Sequence, residues 1–129
     1  MRRCLNCFSK IAKTTTAPCA VCGFNPSDYT HPAYALPAFT RLHDRYFTGR
    51  VIGKGGYGVV YAGWDGRTQQ HRAIKEFLPR VIAQRLSQQL HITPRPNKAP
   101  AYRQLLSHFM HEAEVLTQLH PLPGVVAAL

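Results

Sequence analysis

The decapeptide Ile52-Gly53-Lys54-Gly55-Gly56-Tyr57-Gly58-Val59-Val60-Tyr61 is a glycine-rich turn with β-branched and aromatic residues on both sides. Glycine lacks a Cβ, so its backbone can approach a ligand closely, and Gly53, Gly55 and Gly58 have the G-x-G-x-x-G spacing used around phosphates. Alone, that spacing is a common turn, and the residues after it decide the reading. A dinucleotide-binding fingerprint opens into a helix whose N-terminus faces the pyrophosphate. Here Val59-Val60-Tyr61 continues as strand, because such side chains favour a pleated surface. The turn therefore joins two antiparallel strands, which argues against a dinucleotide fold.

Outward from the turn, residues 46–52 read as the strand entering it and 59–64 as the strand leaving it. Asp65-Gly66 begins a second turn, and Arg72-Ala73-Ile74-Lys75-Glu76-Phe77 reads as a third strand that Pro79 stops. The three form an antiparallel meander with Lys75 near its far end. Ile82, Leu86 and Leu90 recur every four residues and predict a short helix, whereas residues 93–100 predict irregular chain. From 101 to about 119 the pattern is helical, with Tyr102, Leu105, Leu106, Phe109, Ala113 and Leu116 on one stripe. Glu112 lies roughly 60° from the stripe centre and Glu114 about 140° away. Glu112 is thus expected at the edge of the buried face, where it needs a cationic partner, while Glu114 is solvated. Residues 125–129 read as a further strand.

Upstream, Cys4-Leu5-Asn6-Cys7 and Cys19-Ala20-Val21-Cys22-Gly23 form two C-x-x-C pairs separated by eleven residues. Each pair can place two sulfurs on one tight turn, and two turns can close a tetrahedral Zn²⁺ site. Two disulfides or free thiols are the alternatives. Four thiolates leave no open coordination position, so the expected role of the ion is structural. Residues 25–39 carry Pro26, Pro32 and Pro37 and read as an extended linker lying on a neighbouring surface. The expected division is a zinc ribbon over 1–26, a proline-rich linker over 27–43 and a third unit over 44–129.

The formal charge of +10 over 129 residues favours anionic partners. Zn²⁺ on four thiolates contributes 2 − 4 = −2 and would bring the net charge to about +8. Residues 1–26 hold Arg2, Arg3, Lys10 and Lys13 and no carboxylate. Few aromatics interleave with these cations, which argues against nucleic acid. No apolar run approaches the roughly 18 residues of a membrane span, and no apolar signal-peptide core follows the N-terminal cations. The cytoplasm is the expected compartment. The basic connection (Arg80, Arg85, Arg95, Lys98 and Arg103, with no acid) reads as a solvated face, or as a docking surface for an acidic partner.

Glycine turn, A-I-K strand and glutamate-bearing helix together resemble the phosphate-binding half of a protein kinase. Residues 46–129 are similar to the N-lobe of bacterial Hanks-type serine/threonine kinases. The likeness is closest at G-K-G-G-Y-G-V-V-Y-A-G-W-D and A-I-K-E-F-L-P. The cysteine module, the linker and the long connection also resemble a bacterial subgroup with a zinc ribbon before the kinase domain. The resemblance implies an α+β fold, with a small Cys4 zinc ribbon followed by an incomplete kinase N-lobe. It implies that Gly53, Gly55 and Gly58, with Lys54, Gly56 and Val59, cover the ATP triphosphate, with Tyr57 at the loop tip. Ile52, Val60 and Ala73 would lie on the adenine, and Lys75 would hold the α- and β-phosphates and pair with Glu112. Glu112-Ala113-Glu114-Val115-Leu116 fits the family's helix pattern, with Leu116 as the residue of the packed spine between lobes.

Neither an H-R-D nor a D-F-G tripeptide, the family's catalytic base and Mg²⁺ ligand, occurs in the 129 residues. His43-Asp44-Arg45 precedes the glycine turn and is not that loop. The expectation is therefore a truncated ATP-binding lobe, inactive alone, whose partners are ATP and a protein substrate or partner kinase. The other reading is a non-catalytic interaction protein that binds an acidic partner or nucleic acid through its zinc module.

Overall fold

In the computed structural model, residues 2–14, 16–85, 89–119 and 125–128 are described, with side chains up to residue 114. The elements run β1 (Arg2–Arg3), β2 (Lys10–Ile11), a 3-10 turn (Pro26–Asp28), β3 (Arg41–Leu42), β4 (Tyr46–Lys54), β5 (Gly58–Asp65), β6 (Gln70–Phe77), β7 (Ala83–Gln84), β8 (Thr93–Pro94), α1 (Ala99–Leu119) and β9 (Val125–Ala128). This is an α+β arrangement. Its centre is a five-stranded sheet in the order β3-β4-β5-β6-β9, antiparallel except for the β6–β9 pair. A parallel pair needs a crossover connection, and α1 lies in it. No helix among the described residues is long and apolar enough to cross a membrane.

The meander β4-β5-β6 follows the sequence closely. Val60 pairs with Lys75 and Ala62 with Ala73, so these four share one face; Val59, Tyr61, Ile74 and Glu76 share the other. That second face is the core: Val59, Tyr61 and Ile74 are fully buried against Ala35, Leu36 and Leu78. Two of those partners come from the proline-rich stretch, which therefore covers the sheet rather than merely crossing it. Its polar groups are tied down as well. The Val51 N–H donates to the Tyr29 hydroxyl at 2.9 Å, which meets His31 Nδ1 at 2.7 Å, and His31 Nε2 meets the Leu36 carbonyl at 2.7 Å.

The connection after β6 departs from expectation in three places. No helix forms around Ile82: residues 80–82 turn, β7 follows and pairs with β8, and Leu86 lies outside the described residues. Residues 93–100 are not wholly irregular, because Thr93–Pro94 pair with β7 and α1 already begins at Ala99. Pro100 fits there because the first helical turn needs no intrahelical N–H. Arg85, expected on a solvated face, is buried and forms a two-pronged ion pair with Glu76, Nη1–Oε1 at 2.9 Å and Nη2–Oε2 at 2.5 Å. Tyr61 donates to the same carboxylate at 2.7 Å while accepting the Leu36 N–H at 2.9 Å. Arg85 also donates to the carbonyls of Tyr34 and Leu90. A guanidinium fork matches a carboxylate in two bonds, which makes this burial tolerable.

Candidate functional site

The glycine hairpin, β6 and α1 enclose a cavity of about 470 Å³. Its roof is Gly55, Gly56, Tyr57 and Gly58; Val60, Lys75 and Phe77 come from the sheet; Leu105, His108, Phe109 and Glu112 come from α1. The hairpin is closed by the Gly55 N–H donating to the Gly58 carbonyl at 2.9 Å. Its glycines are there for space rather than for positive φ, since among the described residues Gly23 is the glycine with positive φ. A Cβ on Gly58 would lie 2.6 Å from the Glu76 carbonyl oxygen, so the two strands could not approach. No heavy atom lies within 4 Å of a Cβ built at Gly55 or Gly56, which leaves room beside their backbone for a ligand.

Of the residues singled out in the sequence, Gly55, Gly56, Tyr57, Gly58, Val60, Lys75 and Glu112 meet at this cavity. Gly53 and Lys54 sit on β4 just before the turn, paired with Val60 and Val59. Ile52 is 46% exposed, and Ala73 is half-buried on the Lys75 face. Val59 departs from expectation: it is fully buried on the opposite face of β5, because side chains alternate along a strand. Glu112 also departs. It is exposed and therefore solvated, and no ion pair within 4.0 Å joins it to Lys75. The Lys75 ammonium instead stands 5.8 Å from the centre of the Phe109 ring. Phe109 and Tyr102 each lie 5.4 Å from Phe77, so the expected apolar stripe of α1 does face the sheet. The Leu116 side chain lies outside the described residues. His108 was not foreseen; it sits one helical turn before Glu112, a spacing that could have flagged it.

The second centre is the cysteine cluster. The four sulfurs of Cys4, Cys7, Cys19 and Cys22 lie within 4.8 Å of one another, and none is in a disulfide. Cys4–Cys22 and Cys7–Cys19 are 3.8 and 3.7 Å apart. A tetrahedral ion with metal–sulfur bonds near 2.3 Å, such as Zn²⁺, requires sulfurs about 3.8 Å apart, so the spacing fits. The two turns are built alike. The Phe8 N–H donates to the Cys4 carbonyl and the Gly23 N–H to that of Cys19, while the Cys4 and Cys19 N–H groups reach Ser9 and Phe24. Phe8 and Gly23 both have positive φ, 64° and 80°. Burial pushes the Cys4 thiol up to about 12. Burial also opposes ionisation of Cys22, yet hydrogen bonds from Asn6, the Phe24 N–H and the neighbouring thiols together bring it down to about 6. Four adjacent thiols cannot all ionise without a cation among them.

This module is docked on the sheet. The Arg50 N–H donates to the Leu5 carbonyl at 2.9 Å and Arg50 Nε to Asn6 Oδ1 at 2.7 Å. Phe8 stacks on Trp64 at 6.0 Å and meets Phe39 edge-on at 6.1 Å. A Cβ on Gly49 would collide with the Leu5 carbonyl oxygen, so this position must lack one.

No protein-family model matches the chain, and comparison with curated proteins finds no match. Among solved structures, 66% of the chain is similar to the apo form of PpkA-294 at 30% identity and a TM-score of 0.60. PpkA is a bacterial serine/threonine kinase, and the match spans 30% of that structure's chain. The sheet and helix around the glycine cavity thus have a kinase-related fold, with a cluster of four cysteines beside it.

Proposed function

We propose that residues 44–129 are the ATP-binding part of a serine/threonine protein kinase, preceded by a zinc ribbon over 1–26 and a linker over 27–43. The observation that carries this reading is the single cavity at which the glycine hairpin, Lys75 and Glu112 meet. In it the open backbone at Gly55 and Gly56 receives the triphosphate, Lys75 supplies the opposing cation, and Val60, with Ile52 and Ala73 beyond the cavity wall, offers the apolar surface for the base. Glu112 accepts Lys75 once the ammonium leaves the Phe109 ring. Mg²⁺ would accompany the nucleotide, and Zn²⁺ on Cys4, Cys7, Cys19 and Cys22 would hold the ribbon closed. Four metal-ready thiols suit a reducing compartment, which favours the cytoplasm. The protein partner would be a substrate or another kinase.

Neither an H-R-D nor a D-F-G tripeptide occurs in these residues, so the assignment is binding rather than transfer. Titrating the protein with a fluorescent ATP analogue and Mg²⁺ should show saturable binding, weakened at least tenfold by Lys75→Ala. Equal binding by that variant would remove the reading. Autophosphorylation by the 129-residue chain that disappears in Lys75→Ala would overturn the restriction to binding.

A further inference from the structure

A second cavity, of about 290 Å³, opens where the cysteine module meets the sheet. Its walls are Phe8 from the first cysteine turn, Phe39 from the end of the linker, and the cross-strand partners Phe47 and Trp64; Arg3, Gly66 and Gln69 complete it. Three of these seven residues, Phe8, Phe39 and Gln69, hold left-handed backbone at φ 64°, 62° and 57°. Such conformations are uncommon for residues other than glycine, cost of order 1 kcal/mol each, and gather at ligand clamps. The Arg3 Nη1 donates to the Phe8 carbonyl at 3.1 Å, which fixes the guanidinium beside the rings. A guanidinium has five N–H donors, so most remain for a ligand. No acid lines the cavity.

The volume lies just below the usual range of small-molecule pockets and suits one large side chain rather than a whole cofactor. Aromatic walls favour an apolar or aromatic group, and the cation beside them favours a neighbouring negative charge. Arg45, in the turn before β4, and Arg72, on β6, are held by Asp65 at 2.7 and 3.7 Å, so neither is free to follow a phosphate backbone. We propose that this cavity docks an acidic peptide segment, seating one aromatic or branched side chain against the four rings with a flanking carboxylate on Arg3. The site is independent of the nucleotide cavity and needs both the cysteine module and the sheet to exist.

Trp64 is the single tryptophan of the chain and lines the cavity, so its fluorescence reports occupancy. The peptide acetyl-DDFDD-amide, titrated into the metal-loaded protein, should give a saturable change. Acetyl-KKFKK-amide and acetyl-DDSDD-amide should not. Arg3→Glu should weaken the acidic peptide at least tenfold, whereas Lys13→Glu, the same charge change elsewhere on the module, should leave it unaltered. If Arg3→Glu loses the native circular dichroism, Arg3→Gln, which keeps a donor for the Phe8 carbonyl, should still weaken binding several-fold. No saturable change, an equal change with either control peptide, or unaltered binding in the folded Arg3 variant would overturn the proposal. Saturation by single-stranded oligothymidylate without saturation by the peptide would also overturn it and assign the cavity to nucleic acid.

Discussion

Glu76 neighbours Lys75, yet the two point to opposite faces and do opposite work. Lys75 faces the cavity; Glu76 lies in the core with Arg85 and Tyr61. Truncating Arg85 would leave a buried carboxylate without its counter-charge, and the Nε of Arg85 already finds no partner among the described residues. Arg85→Ala should therefore destabilise the fold by about 3–5 kcal/mol in urea unfolding, and the Arg85→Ala/Glu76→Gln double variant by clearly less. A second acid sets the pH response. Arg45 holds the Asp65 carboxyl well below the usual carboxylate range, helped by the N–H groups of Arg67 and Thr68. Because the folded pKa is depressed, the stabilisation is complete above the unfolded aspartate value near 3.9 and is lost as pH falls beneath it. Asp65→Asn should flatten the acid limb of stability against pH while leaving its shape above about pH 5 unaltered.

At the scale of elements, two glycines allow close approach where strands and modules meet. Gly49→Ala should undock the cysteine module from β4, because the Leu5 carbonyl oxygen has no room to remain. The expected result is loss of roughly 1–3 kcal/mol, with bound metal retained and Trp64 more exposed in fluorescence. The glycine hairpin, the three strands and the apolar stripe of α1 were legible because each is a local pattern of period two or 3.6. The C-x-x-C turns were legible because ligand spacing is local too. Arg85 was not, since its burial depends on Glu76 of β6 and on the carbonyl of Tyr34, 51 residues away, besides that of nearby Leu90. Ile82 misleads for a related reason: its four-residue period is real, but Pro79 and the β7–β8 pairing set that backbone instead. The aromatic cavity was invisible, because its rings come from four separate stretches.

Across the whole molecule, the cysteine module and the sheet share one aromatic seam, so an ion bound by the four cysteines would be thermodynamically linked to the sheet. Removing the ion with a chelator should lower the thermal midpoint and shift Trp64 emission to the red; one equivalent of Zn²⁺ should restore both. An unaltered melting curve would show that the module is only an appendage. The two cysteine turns do not share the load equally. Phe8 and Gly23 occupy equivalent places, but Phe8 spends its left-handed backbone on a ring wedged against Trp64, while nothing lies within 4 Å of a Cβ built at Gly23. One turn is thus a rivet and the other a flap. An ion held by both places the flap, with its exposed Cys22, in mechanical series with the sheet. With such an ion bound, a disturbance that reaches the surface at Cys22 would be transmitted to β4 and β5 through it; without the ion it would stop at the flap.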